Sequence, residues 1–317
     1  MNGDEIRIGV STCLLGENVR YDGGHKRHHL ITDVLAAHVT LVPVCPEVEL
    51  GMGVPREPVR LVRDESRVRM IGTKSGRDFS ADVRRYAGRR VRELGRLALD
   101  GYILKKGSPS CGMERVRTYT PAGVPAPGGR GLFAEALLSR MPLLPVEEEG
   151  RLSDPELREN FIERVFAHHR LRAALSGRWR ISDLAGFHAR EKLLLMAHDP
   201  AAQKRLGRLV ADAKAARRQE VADGYRRGFM QALARRATRR KHVNVLQHAL
   251  GYFKRQLEPA DKVEFLETIE SFRKGLVPLI VPITLLRHYV RRFGVETLAG
   301  QTYLEPHPKE LMLRNHA

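Results

Sequence analysis

The sequence predicts an α/β fold: a Rossmann-like parallel sheet domain over residues 1–150, followed by an all-α helical domain over residues 151–317. Three observations carry this reading. Short apolar, β-branched runs alternate with helical stretches up to Val146. Beyond Pro155 strand signals nearly vanish and helical periodicity takes over. The charge changes at the same place: residues 1–150 hold 23 Lys and Arg against 19 Asp and Glu, whereas residues 151–317 hold 32 against 18. Most of the net +18 therefore lies in the second half, and a chain of 317 residues is long for a single core.

Taken in order, Arg7 to Thr12 is an apolar run ending on Cys13, and Leu14 to Gly24 is a loop by its glycines and Asn/Asp. His29 to His38 is expected as a short helix and Val39 to Val44 as a strand ending on Cys45. The following segment to Pro58 is too rich in Gly and Pro to be regular. Val59–Val62 and Val68–Ile71 flank Asp64-Glu-Ser66 and predict a hairpin over a cleft. Ser80 to Leu99 predicts a helix capped by Ser80, with a stripe of Val83, Tyr86, Val91, Leu94 and Leu97. The Tyr102 strand then runs into Lys105-Lys-Gly-Ser-Pro-Ser-Cys-Gly112. Pro121–Gly131 is expected as loop, Leu132–Arg140 as helix and Leu143–Val146 as the last strand.

Glu147 to Pro155 marks the domain boundary. Helices are expected over 154–175, 182–198, 201–222, 224–240, 243–257, 261–274 and 283–293. Arg235, Arg236, Arg239, Arg240 and Lys241 form a basic run, and Tyr252-Phe-Lys-Arg255 sets aromatics beside cations. Such faces suit phosphate contacts and base stacking, and an amphipathic bundle with an arginine-rich outer face has the same composition.

Several classes are excluded or set aside. No Gly-x-Gly-x-x-Gly follows the first strand and there is no P-loop, so nucleotide-cofactor chemistry is not expected. The start lacks a basic and apolar leader, and no apolar run approaches ~20 residues, so a cytoplasmic chain without membrane association is expected. The odd, sparse cysteine count does not form a secreted disulfide framework.

The chain's three cysteines, Cys13, Cys45 and Cys111, each follow a strand and stand beside Gly or Pro, 32 and 66 positions apart. In an open parallel sheet such loops gather at the carboxyl edge, so three distant thiols can meet in one crevice. Three readings stand side by side: small buried hydrophobes, a zinc site completed by histidine or water, and a four-iron, four-sulfur cluster with one iron open. Glu47 and Ser108 stand beside the thiols as candidates for proton handling, with Glu49, Ser110 and Asp22 competing by position.

Ser11-Thr-Cys-Leu-Leu-Gly16 with Val19-Arg-Tyr-Asp-Gly23, Val44-Cys-Pro-Glu47 and Lys106-Gly-Ser-Pro-Ser-Cys-Gly112 together resemble the thiouracil desulfidase family over about residues 5–150. The resemblance implies a [4Fe-4S] cluster as cofactor, with Cys13, Cys45 and Cys111 as its ligands, and Glu47 and Ser108 as the catalytic pair. The second half resembles the helical domain often fused behind it, carried by Phe187-His-Ala-Arg-Glu-Lys192, Asn244 to Lys254, Val277 to Tyr289 and Gln301 to Pro308. Proteins with both halves look like desulfidases acting on 4-thiouridine in tRNA, the helical part being the RNA binder. The expected function is hydrolytic, non-redox desulfuration of tRNA 4-thiouridine to uridine and sulfide. The alternatives are a desulfidase of free thiouracil or thionucleosides, and a non-catalytic RNA-binding protein with a structural cluster.

Overall fold

The computed structural model describes residues 5–65 and 67–316, the side chain of Ala215 apart, and Ser66 of the expected hairpin lies outside them. The chain divides into two compact units, Met1–Asp154 and Pro155–Ala317. In the first, the elements run β1 (Arg7–Ser11), β2 (Thr40–Val44), α1 (Pro46–Glu49), β3 (Val59–Asp64), β4 (Arg67–Gly72), α2 (Ser80–Arg96), β5 (Gly101–Leu104), β6 (Val116–Tyr119), β7 (Pro125–Gly129), α3 (Leu132–Arg140) and β8 (Val146–Glu148).

Four of these strands form a fully parallel sheet in the order β2-β1-β5-β8, with Ser11 opposite Val44 and Val10 opposite Ile103. Parallel strands need crossovers, and the helices supply them while covering the sheet. Tyr86, Val91 and Leu94 of α2 and Phe133 and Leu137 of α3 pack with Tyr102, Leu104 and Val146 in one buried cluster. Gly9 is required where the Tyr102 ring crosses β1: a Cβ there would lie 2.3 Å from that ring. The crossovers bring the carboxyl ends of β1, β2 and β5 side by side, and that edge positions the site.

The second sheet, in the order β4-β3-β6-β7, was only half legible. The β3–β4 hairpin is antiparallel as expected, but β6 joins β3 in parallel and β7 closes the edge inside a segment expected to be loop. Pro125 and Pro127 are compatible with a strand here because β7 lies at an edge, where a missing N–H costs no ladder bond. Leu61, Met70, Phe79, Val83, Val116 and Leu132 bury its inner face.

Other expectations are corrected locally. Residues 30–37 wind as a π turn (Leu30–Val34) and a 3₁₀ turn (Leu35–Ala37), not an α-helix. Ile31, Thr32 and Val34 are β-branched, and Asp33 is drawn away by Arg27 and His29. Pro46 starts the short helix α1, with Cys45 as its N-cap, because proline's missing N–H is harmless at the first helical position. Ser80 does not cap α2: its hydroxyl accepts from the Met70 N–H at 2.8 Å, while Asp78 accepts from the Ser80 N–H at 2.8 Å. The last strand is Val146–Glu148 rather than 143–146.

The second unit comprises α4 (Pro155–Ala174), α5 (Ile181–His198), α6 (Pro200–Ala211), α7 (Arg218–Leu233), α8 (Arg239–Leu250), α9 (Pro259–Arg273), α10 (Ile280–Phe293) and the short α11 (Glu296–Ala299). The break expected between Ala222 and Gly224 falls instead at 212–217. Gly costs about 1 kcal/mol inside a helix, and burial of Val221, Tyr225 and Phe229 around it outweighs that. Tyr225 and Phe229 stack at 5.9 Å and Phe187 meets Phe229 at 5.3 Å. No helix among the described residues is long and apolar enough to cross a membrane.

A charged network lies inside this unit. Buried Glu163 accepts from the His198 Nε2 and, at 3.0 Å, from Arg314 Nη2. His198 Nδ1 faces the Arg235 carbonyl at 2.6 Å. Nearby, burial pushes His242 down to about 3 and His307 to about 4, with the Arg314 charge adding to both. These imidazoles are neutral when folded, whereas the unfolded chain takes up their protons below about pH 6.5. Stability is therefore lost as pH falls from about 6.5 toward 4. Thermal unfolding of the second unit should show a clear drop in midpoint between pH 7 and pH 5, and an unchanged midpoint would contradict this.

The basic run is largely engaged within its own unit. Arg235 pairs with Asp199 and Arg236 with Glu156, both at 2.9 Å. Arg239 stacks on Phe272, and Lys241 Nζ donates to the His198 carbonyl at 2.6 Å.

Candidate active site

The three loops at the carboxyl edge of the parallel sheet enclose a cavity of about 650 Å³, lined by Cys13, Cys45, Cys111, Glu47 and Ser108 together. The three cysteines, Glu47 and Ser108 are thus gathered in one place, while Asp22, Glu49 and Ser110 do not line the cavity. The local reasons differ. Cys13 sits in a 3₁₀ turn, Thr12–Leu15, closed by Gly16 in the left-handed region at φ 94°. Cys45 caps α1. Cys111 ends a tight loop in which the Ser108 Oγ accepts from the Ser110 and Cys111 N–H groups, both at 3.2 Å. That loop lies directly on α3's first turn: a Cβ on Gly131 would stand 2.4 Å from the Ser110 carbonyl, so no other residue fits.

All three cysteines are free thiols, Cys13 and Cys111 buried and Cys45 half-buried. Burial pushes Cys13 up to about 11, with the neighbouring Cys45 adding and the Lys105 ammonium opposing. Burial and the Glu47 carboxylate raise Cys45. Cys111 is raised further by burial, by Glu47 and by the other two thiols, while a hydrogen bond from Ser11 opposes the rise. Thiols held up in this way are poor nucleophiles at neutral pH. They are suited to a cationic centre that takes three protons' place, since metal charge inverts the local electrostatics.

Among the described residues no three His, Cys, Asp or Glu side chains are placed to hold a single metal ion. A cluster receives each thiolate at a different iron, so its ligands stand farther apart than those of one ion, and thiolate-only donors suit iron–sulfur chemistry. The residues present fit a cluster.

Glu47 points into the cavity from α1. Its Oε1 accepts from the Ser110 hydroxyl at 2.8 Å and lies 3.5 Å from the Ser108 hydroxyl. Its Oε2 is bound by the Arg56 guanidinium, through Nε at 3.0 Å and through Nη2. Ser110 was visible in the sequence only as a competitor, yet its contact with Glu47 is the shorter. Ser108 is chiefly the organiser of the Cys111 loop. The other competitors are occupied: Glu49 accepts from the Cys45 N–H, Tyr86 and Arg90, and Asp22 holds Arg20 and the Gly24 N–H. Arg56 was missed, because a lone arginine in a Gly/Pro-rich segment carries no periodic signal.

Two family models match different parts of the chain. The family model described as 2-thiouracil desulfurase matches residues 8–149. A second model, a protein of unknown function (DUF1722), matches residues 192–308. The chain is 31% identical over 153 residues to the uncharacterized protein YbgA of Escherichia coli (strain K12), covering 48% of this chain and 90% of that protein. It is 30% identical over 119 residues to the uncharacterized protein YbbK of Bacillus subtilis (strain 168), covering 36% of this chain and 78% of that protein. Among solved structures it is similar to the [4Fe-4S]-dependent thiouracil desulfidase TudS, at 35% identity and a TM-score of 0.39, over 47% of this chain and 95% of the other. The chain belongs to the families of YbgA and YbbK, with its first part matching the 2-thiouracil desulfurase model and its second part matching the DUF1722 model.

Proposed function

We propose that the protein is a desulfidase that hydrolyses the thiocarbonyl of a thiolated pyrimidine, and that its substrate is 4-thiouridine in tRNA. The observation that carries the reading is the meeting of three free thiols, two buried and one half-buried, with Glu47 in one cavity. The match to the 2-thiouracil desulfurase model supports the reaction class.

Cys13, Cys45 and Cys111 would hold a [4Fe-4S] cluster. When bound, the cluster would supply a Lewis acid for the thiocarbonyl sulfur. The remaining work belongs to the chain. Glu47 Oε1 takes a proton from the water that adds at C4, and returns it as sulfur leaves. The Ser110 and Ser108 hydroxyls orient that oxygen. One water is consumed, C=S gives way to C=O, and hydrogen sulfide is released without any electron transfer.

The tRNA part rests on charge. Residues 151–317 carry 32 basic against 18 acidic residues, a balance that favours a polyanion partner. A base in tRNA must leave its stack to enter the cavity, at a cost of a few kcal/mol. The name of the matching family model favours free thiouracil as the second reading.

Turnover on 4-thiouridine-containing tRNA and on free 4-thiouracil separates them. We expect a higher kcat/KM for tRNA and an affinity falling with salt at a log–log slope of about −0.7 to −0.9 per phosphate. Equal kcat/KM for both, or a salt-independent Kd, would refute the tRNA assignment.

A further inference from the structure

Among the described residues Arg56 is the one buried cation in contact with Glu47, and its arrangement exceeds what neutralising a carboxylate requires. The side chain is 5% exposed and that of Glu47 14%. The guanidinium spends two N–H groups on a single carboxylate oxygen, Glu47 Oε2. Nη1 donates to two carbonyls, Val19 and Gly53, both at 3.0 Å, and the Arg56 backbone N–H donates to the Tyr21 carbonyl at 3.0 Å. The Val19 carbonyl is also the oxygen faced by the Cys45 sulfur at 3.9 Å.

Two consequences follow. Oε2 is saturated and turned into the protein, leaving Oε1 with its serine contacts as the oxygen offered to the cavity. One planar fork also ties that orientation to the loop after Cys13 and to the chain after α1. Lysine, a compact point charge, cannot span these acceptors.

We propose that Arg56 is a positioning residue for Glu47: it fixes which carboxylate oxygen faces the reacting water and locks that choice to the loops carrying Cys13 and Cys45. This rests on the desulfidase reading. Arg56 itself touches neither substrate nor the reacting atoms.

The test is a double-mutant cycle on the iron-loaded protein with a 4-thiouridine substrate, using Arg56→Ala, Glu47→Gln and the pair, with iron content and urea unfolding measured on each. Arg56→Ala is expected to lower kcat by about tenfold or more with KM little changed, since misplaced groups lose rate rather than binding. The loss should be partly restored by added guanidinium ion, and Arg56→Lys should fall between. In the Glu47→Gln background the Arg56→Ala effect should vanish, because both act through one carboxylate.

Independent, multiplicative effects in the cycle would overturn the proposal, as would a kcat in Arg56→Ala within twofold of the parent. If Arg56→Ala fails to load iron, Arg56→Lys carries the cycle, and an Arg56→Lys protein with full parental kcat overturns it too. An inactive parent protein with a complete cluster would instead refute the desulfidase reading and is distinguishable from both.

Discussion

Replacement of Cys13, Cys45 or Cys111 by serine, one at a time, is expected to abolish both bound iron and desulfidase turnover, the largest effect of any single change in the molecule. Each thiol comes from a different loop at the end of a different parallel strand. Serine holds its proton far more tightly than a thiol and is a hard oxygen ligand, poorly matched to iron–sulfur chemistry. Iron should fall from about four per chain to a small fraction of that, with turnover lost in parallel. Cys111 is packed in the hydrophobic cluster with Tyr102 and Phe133, so its variant should also lose some stability. Cys45, half-buried and at a helix cap, should unfold nearly as the parent does. Iron assays on Cys45→Ser therefore separate ligation from folding: full iron retention there would remove Cys45 from the ligand set.

Glu47→Gln is expected to leave iron in place and reduce kcat by about 10²- to 10⁴-fold, the usual range for a lost acid–base group. Glutamine preserves the size of the side chain and can still meet Ser110, but it cannot take a proton from water. It also leaves Arg56 buried without its carboxylate, which costs about 3–5 kcal/mol when a buried pair loses one partner. The variant should consequently be less stable as well as slow, and activity must be measured well below its unfolding temperature. Ser108→Ala should behave differently. It removes the acceptor for two loop N–H groups, so reduced iron loading is expected alongside a smaller kcat loss. A Glu47→Gln protein with parental kcat would take Glu47 out of the chemistry.

The parallel sheet and the thiol-bearing loops were legible because their signals are local. Arg7–Ser11, Thr40–Val44 and Gly101–Leu104 are apolar runs that stop at turn residues, and each cysteine sits just past such a stop. The antiparallel addition was not, because β7 is written in Pro and Gly and becomes a strand only by lying at the edge beside β6. In the second unit, helices were visible but their ends were not: burial of Tyr225 and Phe229 carries α7 through Gly224, which local propensity marks as a break. The site shows the same limit. Glu47 was found because it stands two residues from Cys45, whereas Arg56 and the closeness of Ser110 to Glu47 depend on tertiary contacts between segments far apart in the chain. The basic run at 235–241 suited phosphate contacts and an arginine-rich outer face alike, and its ion pairs with Asp199 and Glu156 appear only once the helices are packed.

The central claim is that the cavity hydrolyses a thiocarbonyl without redox chemistry. Its most direct test is anaerobic incubation of the iron-loaded protein with 4-thiouridine-containing tRNA in ¹⁸O-water and no added reductant. The account predicts uridine carrying ¹⁸O at C4 and sulfide in equal amount. Unaltered 4-thiouridine, or product that forms only when a reductant is supplied, would contradict it.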